Sequence, residues 1–124
     1  MLAKVVDASV LAAFAFDEPR IQEARTLLRD AVLYEPALLL FELVNTAWKK
    51  ARREPSRQEA VLQGLEIALS LPIRWVAVDP SAVFRLTMDT GLSAYDASYV
   101  YVSRAFRIPL VTFDKRLEAF GRPG

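Results

Sequence analysis

Ala3-Lys4-Val5-Val6-Asp7-Ala8-Ser9-Val10 reads as a short strand that ends on an acid and turns straight into a helix. The apolar run Ala3–Val6 is too short for a helix and is bounded by Asp7, as a buried strand would be. Ser9 caps a helix over Val10–Phe16, and Pro19 separates that helix from the next. There Ile21, Ala24, Leu27 and Leu28 keep helical spacing through Arg29. The same grammar then repeats. Val32–Tyr34 is a second strand, and Pro36 suits the first turn of a long helix reaching about Arg53. Pro55 and Ser56 open another helix, with Val61, Leu62, Leu65, Ala68 and Leu69 on its buried stripe. Ile73–Val78 is rich in β-formers and gives a third strand. Asp79-Pro80-Ser81 starts a helix to about Thr90, which Gly91 ends. Ser93 caps a helix through Phe106, Leu110–Thr112 is a fourth strand, and Asp114 opens a last short helix. Strands alternating with helices predict an α/β fold with a mainly parallel sheet. Right-handed crossovers then put the loops that follow the strands on one edge.

Composition narrows the chemistry. The 124 residues suit one domain, 1–124. With 53% hydrophobic residues the chain can fill a core and leave an apolar patch for a partner, the segment Ala37–Trp48 being the greasiest. Lys+Arg is 16 and Asp+Glu 15, so the net charge of +1 makes no case for nucleic acid by itself. There is no Cys and no His. Disulfides, zinc–thiolate sites, cysteine nucleophiles and the Ser-His-Asp triad are therefore excluded. The start reaches Asp7 too early for a signal core, and Ala37–Val44 is too short to span a bilayer. A cytoplasmic protein is expected.

Four carboxylates stand out: Asp7, Glu42, Asp96 and Asp114. Three lie where a strand or loop meets a helix, and open α/β sheets bind ligands outside the carboxyl ends of their strands. Oxygen donors without His or Cys suit a hard cation such as Mg²⁺ or Mn²⁺, the site type of a metal-dependent enzyme acting on phosphodiesters. Each acid also has a plainer reading. Asp7 and Asp114 sit at helix N-termini, where acids are favoured. Ser93-Ala94-Tyr95-Asp96 resembles a capping box. Glu42 interrupts an otherwise apolar helix and needs a partner there, for which Asn45 and Lys49 are spaced on its face. Ser9 is either a cap or a hydroxyl of the site, and Thr112 either a strand residue or a second such hydroxyl. Cations that would hold RNA phosphates beside the acids are Lys49, Lys50, Arg52, Arg53, Lys115 and Arg116. Tyr95 and Phe113 are candidates for stacking on bases.

Val5-Val6-Asp7-Ala8-Ser9-Val10-Leu11-Ala12 resembles the opening strand and first acid of the PIN-domain family. Pro36-Ala37-Leu38-Leu39-Leu40-Phe41-Glu42-Leu43-Val44-Asn45 is similar to its second acidic helix, and Leu92-Ser93-Ala94-Tyr95-Asp96-Ala97 to its third acidic motif. Leu110-Val111-Thr112-Phe113-Asp114-Lys115-Arg116-Leu117 is similar to its final strand–Thr–x–Asp segment. Within the family the wording is closest to VapC-type toxins of toxin–antitoxin pairs. The resemblance implies a three-layer fold, a central parallel sheet of four to five short strands between helices. It implies an Mg²⁺- or Mn²⁺-dependent endoribonuclease in which Asp7, Glu42, Asp96 and Asp114 hold the metal, with Thr112 and supporting Ser9 and Asn45. It also implies a homodimer and an antitoxin partner whose tail blocks the site. A further strand past the last helix belongs to the family pattern, and here only Gly121-Arg122-Pro123-Gly124 remains for it. The alternative is a catalytically silent module of the same fold that binds protein or RNA.

Overall fold

The strand β1 (Leu2–Val6) takes the centre of the sheet because its end is wholly apolar: Val5 and Val6 are fully buried. A computed structural model describes residues 1–121. β1 is followed by α1 (Ala8–Ala15) and α2 (Ile21–Leu28), then β2 (Ala31–Pro36) and α3 (Leu38–Arg53). A 3₁₀ turn over Pro55–Arg57 leads into α4 (Gln58–Leu69) and β3 (Ile73–Val76). Then come α5 (Pro80–Thr90), α6 (Ala94–Phe106), β4 (Leu110–Val111) and α7 (Lys115–Glu118). The strands form one sheet in the order β3-β2-β1-β4, and every pairing is parallel.

That order decides where a ligand can sit. Parallel neighbours need a crossover rather than a hairpin, and each crossover here is a pair of helices. The chain lays β2 and then β3 on one side of β1, and returns to lay β4 on the other. The order therefore reverses between β1 and β4, and the crevice at such a reversal is the usual ligand site of open α/β sheets. Asp7 follows directly on β1 at this crevice, and Thr112 follows directly on β4 beside it.

The predicted α/β architecture is present, and its local signals are read correctly where they are local. Asp79 caps α5 by accepting from the Ser81 N–H at 3.0 Å, and Gly91 ends that helix in the left-handed region at φ 74°. Ser93 caps α6 through the Asp96 N–H at 3.1 Å.

Several expectations change. Pro36 closes β2 opposite Val76 rather than starting a helix, a place where its missing N–H costs no ladder bond. Ser9 does not cap α1; Asp7 occupies the N-cap position, and the helix begins at Ala8. The stripe of α4 is narrower than its spacing suggests, since Leu62 stays 45% exposed. Nor is α3 buried all round: Leu39, Leu43 and Ala47 face the core, while Phe41, Val44 and Trp48 face outward. On the open side of β4 the Gly121 carbonyl accepts from the Leu110 N–H at 3.0 Å, where a further strand would begin. Residues 122–124 lie outside the described part. No described helix is long and apolar enough to cross a membrane.

Gly64 fixes how closely α4 approaches α1. A Cβ there would stand 2.0 Å from the Ala15 carbonyl oxygen. Ala in place of Gly within a helix ordinarily gains up to about 1 kcal/mol, so the sign of the change separates propensity from packing. Gly64→Ala is expected to lose about 1–3 kcal/mol in urea unfolding with an unchanged m-value. A gain in stability would mean that the two helices are not locked at this point.

Candidate active site

Asp7 is 6% exposed, and two hydroxyls from different elements hold it. Ser9 Oγ donates to Asp7 Oδ1 at 2.6 Å, and Thr112 Oγ1 donates to Asp7 Oδ2 at 2.7 Å. Each hydroxyl also accepts: Ser9 from the Phe113 N–H at 3.0 Å, Thr112 from the Asp114 N–H at 2.9 Å. Each therefore has its proton committed to Asp7 and a lone pair committed to the loop after β4. Neither is free to act as a nucleophile. They orient a carboxylate and tie the β4–α7 loop to β1.

Asp7 makes no side-chain capping bond to α1; the N–H groups of Ser9 and Val10 still favour its charge. Burial nonetheless dominates and raises its pKa above the ordinary value, against those hydrogen bonds. Asp114 caps α7 by accepting from the Arg116 N–H at 2.9 Å, so for this residue the cap and the site are compatible.

Glu42 faces the same crevice from α3. Its partner is neither Asn45 nor Lys49. The Tyr99 hydroxyl, from α6, donates to Glu42 Oε1 in a very short hydrogen bond, and Tyr99 is 1% exposed. Burial raises the Glu42 pKa; the Tyr99 bond opposes this, and repulsion from Asp96 and Asp7 adds to it. Tyr99 is in turn pushed far up by burial and by its bond to Glu42, so it remains a donor.

Asp96 lies on the first turn of α6, three residues before Tyr99 and so on the same face. Its pKa is raised by burial, lowered by Arg116 and raised again by Asp114. Arg116 Nη2 stands 3.4 Å from Asp96 Oδ2 and 3.3 Å from Asp114 Oδ2. It holds the Asp114 carboxyl below the usual range. The Arg116 side chain is 75% exposed, so this clamp is weak and screened by solvent.

The four acids thus feel one another: Asp7 with Glu42, Glu42 with Asp96, Asp96 with Asp114. A fifth acid escaped the sequence reading. Glu35, at the end of β2, is fully buried, and its Oε2 accepts from the Val6 N–H at 2.9 Å. Burial raises its pKa strongly, the Val6 bond opposes, and Asp7 adds to the rise. The signal was there, since the alternation of β2 puts Glu35 on the buried face with Ala31 and Leu33. Tyr99 had a signal too, its three-residue spacing from Asp96.

The oxygen-only donor set fits a hard divalent cation, and its uncompensated charge does as well. Among the described residues, however, no group of three or more acids stands close enough to hold one metal ion. That leaves room for a cation bound by one or two carboxylates with the rest of its shell as water, the usual habit of Mg²⁺.

The remaining candidates divide. Asn45 lines a hollow with Leu38, Phe41, Glu42 and Tyr95, on the α3 side of the acids. A second hollow, on the Asp7 side, is lined by Ser9, Ala13, Glu18, Pro19, Arg20 and Phe113. Here Arg20, which nothing in the sequence marked, lies over the Phe113 ring at 3.8 Å. The basic run lies elsewhere. At 1.5 Å per residue, Lys49 to Arg53 sit roughly 10–16 Å along α3 from Glu42. Arg52 covers the Trp48 ring at 4.2 Å, Lys50 pairs with Glu18 at 2.7 Å, and Arg53 borders a hollow with Arg57 and Val61. Lys115 is exposed at the start of α7.

The family model of the PIN domain matches residues 4–123, a span that contains all five acids. Two curated relatives come from Pyrobaculum aerophilum. Ribonuclease VapC3 is 31% identical over 118 residues, covering 91% of this chain and 90% of the relative. Exonuclease VapC9 is 36% identical over 117 residues, covering 93% and 83%. A crystal structure of a protein from the same organism superposes with a TM-score of 0.74 at 32% identity, over 96% of this chain and 86% of that one. With a crevice at the β1–β4 reversal, acids around it and a match along nearly the whole sequence, this chain belongs to the PIN domain family.

Proposed function

We propose that this chain is a ribonuclease that hydrolyses phosphodiesters with Mg²⁺ or Mn²⁺, and that it serves as the toxin of a type II toxin–antitoxin pair. The observation that carries the reading is Asp7, a nearly buried carboxylate held by Ser9 and Thr112 and facing acids that raise one another's pKa. One or two of Asp7, Asp96 and Asp114 would hold the cation directly, and the rest would meet it through its water shell. Glu42 has one oxygen fixed by Tyr99, which leaves the other to orient the attacking water or to share the cation. When bound, the cation lowers the pKa of a water and neutralises charge that builds on the phosphate. Attack in line at phosphorus then leaves a 5′-phosphate and a 3′-hydroxyl, the outcome implied by the family resemblance, and needs no histidine.

The two hollows suggest the path of the strand. Tyr95, Phe41 and Asn45 line one hollow with Glu42, and Phe113 and Arg20 line another with Ser9, which is bonded to Asp7. Aromatic faces accept stacked bases of any sequence, whereas the Arg20 guanidinium is already paired with Glu23 at 2.7 Å. A strand that can continue past both sides supports internal cleavage. Lys115 and Arg116 are next to the acids, whereas Lys49, Arg52 and Arg53 would meet phosphates farther along. Outward-facing Phe41, Val44, Trp48 and Leu62 offer apolar surface for a second copy or for the antitoxin.

One observation favours the silent alternative: Arg116 already spans Asp96 and Asp114. If that clamp closes the site, Arg116→Gln should tighten Mn²⁺ binding. If it contributes to RNA binding instead, the same change raises KM and leaves Mn²⁺ affinity unchanged.

Asp7→Asn and Asp96→Asn are each expected to reduce cleavage of structured RNA in Mn²⁺ on the order of a hundredfold or more, with folding intact by circular dichroism. Cleavage that survives EDTA, or both substitutions, contradicts the mechanism.

The raised pKa values also set a pH dependence. For Asp7, Glu42, Asp96 and Glu35 the folded chain holds its protons to higher pH than the unfolded chain. Stability must then fall as pH rises from the ordinary carboxylate range towards these raised values. Asp114 works in the opposite sense, its stabilisation being lost on acidification, and as an exposed group it weighs less. Without metal, the melting temperature is expected to fall as pH rises above the ordinary carboxylate range. Mn²⁺ at a hundred times its Kd should restore about 2.7 kcal/mol, with a larger effect at pH 8 than at pH 5. A melting curve that ignores both pH and Mn²⁺ would remove the metal from the proposal.

A further inference from the structure

The β1–β2 ladder stops early. Its register runs from Leu2↔Ala31 to Lys4↔Leu33, although β1 reaches Val6 and β2 reaches Pro36. The Leu2 N–H donates to the Asp30 carbonyl, so the same register would carry the Val6 N–H to the Tyr34 carbonyl. It goes to Glu35 Oε2 instead, at 2.9 Å. The two strands part at their carboxyl ends, and a carboxyl side chain fills the gap.

That side chain is costly. Glu35 is fully buried, its Oε1 has no hydrogen-bond partner, and no cation pairs with it among the described residues. One backbone N–H does not offset the desolvation of a carboxyl. An apolar side chain of similar size would fill the place at lower cost, as Leu33 does one repeat earlier on the same face. A group that weakens its own fold and lies against a cleft of other acids has its reason in the site. The N–H that it holds belongs to the residue before Asp7; the Asp7 charge is felt at Glu35, and the Glu35 carboxyl is felt at Tyr99.

We propose that Glu35 is a positioning residue for Asp7: wedged between the parted ends of β1 and β2, its carboxyl holds the Val6 N–H and keeps Asp7 within reach of Thr112 and Ser9. Asp7 is thereby fixed from both sides, through its backbone from β2 and through its carboxylate from the β4 loop. Without the wedge, the Val6 N–H closes onto the Tyr34 carbonyl, and the end of β1 is drawn towards β2 and away from Thr112. A shift on the order of 1 Å at a reacting site costs up to about a hundredfold in rate. The effect on catalysis rests on the metal-dependent reading given above; the effect on geometry does not.

Three variants test it. Glu35→Gln keeps an acceptor at the same reach, Glu35→Met fills the space without one, and Glu35→Asp keeps the carboxyl but withdraws it from Val6. Glu35→Gln should keep kcat and the Mn²⁺ Kd within about threefold of the parent. Glu35→Met should lose on the order of a hundredfold in kcat with the RNA KM within about twofold, raise the Mn²⁺ Kd by calorimetry at least about tenfold, and melt no lower than the parent. Glu35→Asp should follow Glu35→Met in kcat and Kd, and it carries the test if Glu35→Met does not fold. Crystal structures should show the Val6 N–H on Tyr34 and Asp7 moved off Thr112. Should Glu35→Met or Glu35→Asp retain the 2.7 Å Thr112–Asp7 contact or the parent Mn²⁺ affinity, the proposal is wrong. It is equally wrong if Glu35→Gln falls with the others, for then the charge and not the reach matters. A parent protein that cleaves no RNA defeats the proposed function alone, because the position of Asp7 in the variants still decides this point.

Discussion

A carboxylate at the end of a central parallel strand, gripped by two hydroxyls, is the constraint on which the rest of this molecule depends. β4 has two residues and α7 has four, too little for either to hold its place by its own ladder or helix bonds. Leu110 and Leu117 anchor them in the core, and the link from Asp7 through Thr112 and Ser9 to the N–H groups of Phe113 and Asp114 ties them to β1. The same link orients Asp7. Fold and site therefore share their hydrogen bonds at this point.

The charge balance follows from that sharing. Burying Asp7, Glu42 and Glu35 around one crevice raises every pKa among them, and the partners supplied are hydroxyls and N–H groups rather than cations. Neutral donors orient a carboxylate without cancelling its charge. The only cation on the cluster, among the described residues, is the exposed Arg116 at its outer edge. Such a site keeps its negative potential for something that arrives from outside. A fold optimised only for stability would have buried an arginine here, or leucines.

Much of this was legible because it is local. The caps of α5 and α6 and the left-handed Gly91 were readable from three or four consecutive residues, since a cap is a contact between near neighbours in sequence. The parallel sheet was readable from the alternation of strands and helices; Asp7, Asp96 and Asp114 stood out as acids at strand-to-helix or loop-to-helix junctions, and Glu42 as a charge on an apolar helix. What could not be read was who holds them. Tyr99 meets Glu42 across 57 positions, and Thr112 meets Asp7 across 105. Sequence spacing offered Asn45 and Lys49 to Glu42 instead, because on one helix only near neighbours are visible. Pro36 misled for a related reason. Proline suits a helix start and a strand end equally well, and the choice lay with Val76 on β3. The basic run Lys49–Arg53 looked close to Glu42 in sequence, yet a rigid helix turns sequence distance into real distance.

The net charge of +1 concealed the feature that matters most, which is the segregation of charge. The acids gather at the carboxyl ends of β1 and β2 and on the first turns of the helices around them. The cations of α3 lie at its far end, where the helix dipole favours them. A parallel sheet imposes this polarity, because all of its strands end on one edge and the helices that follow begin there. Helix N-termini tolerate carboxylates that would be too costly in a sheet of mixed direction. The topology thus lowers the cost of gathering acids before any ligand is bound. An acidic crevice at this edge, with Arg116 on its outer side, repels a polyanion at its centre and attracts it at that rim. A metal ion at the centre would reverse the first of these, and productive binding of a nucleic-acid strand would then depend on the metal arriving first.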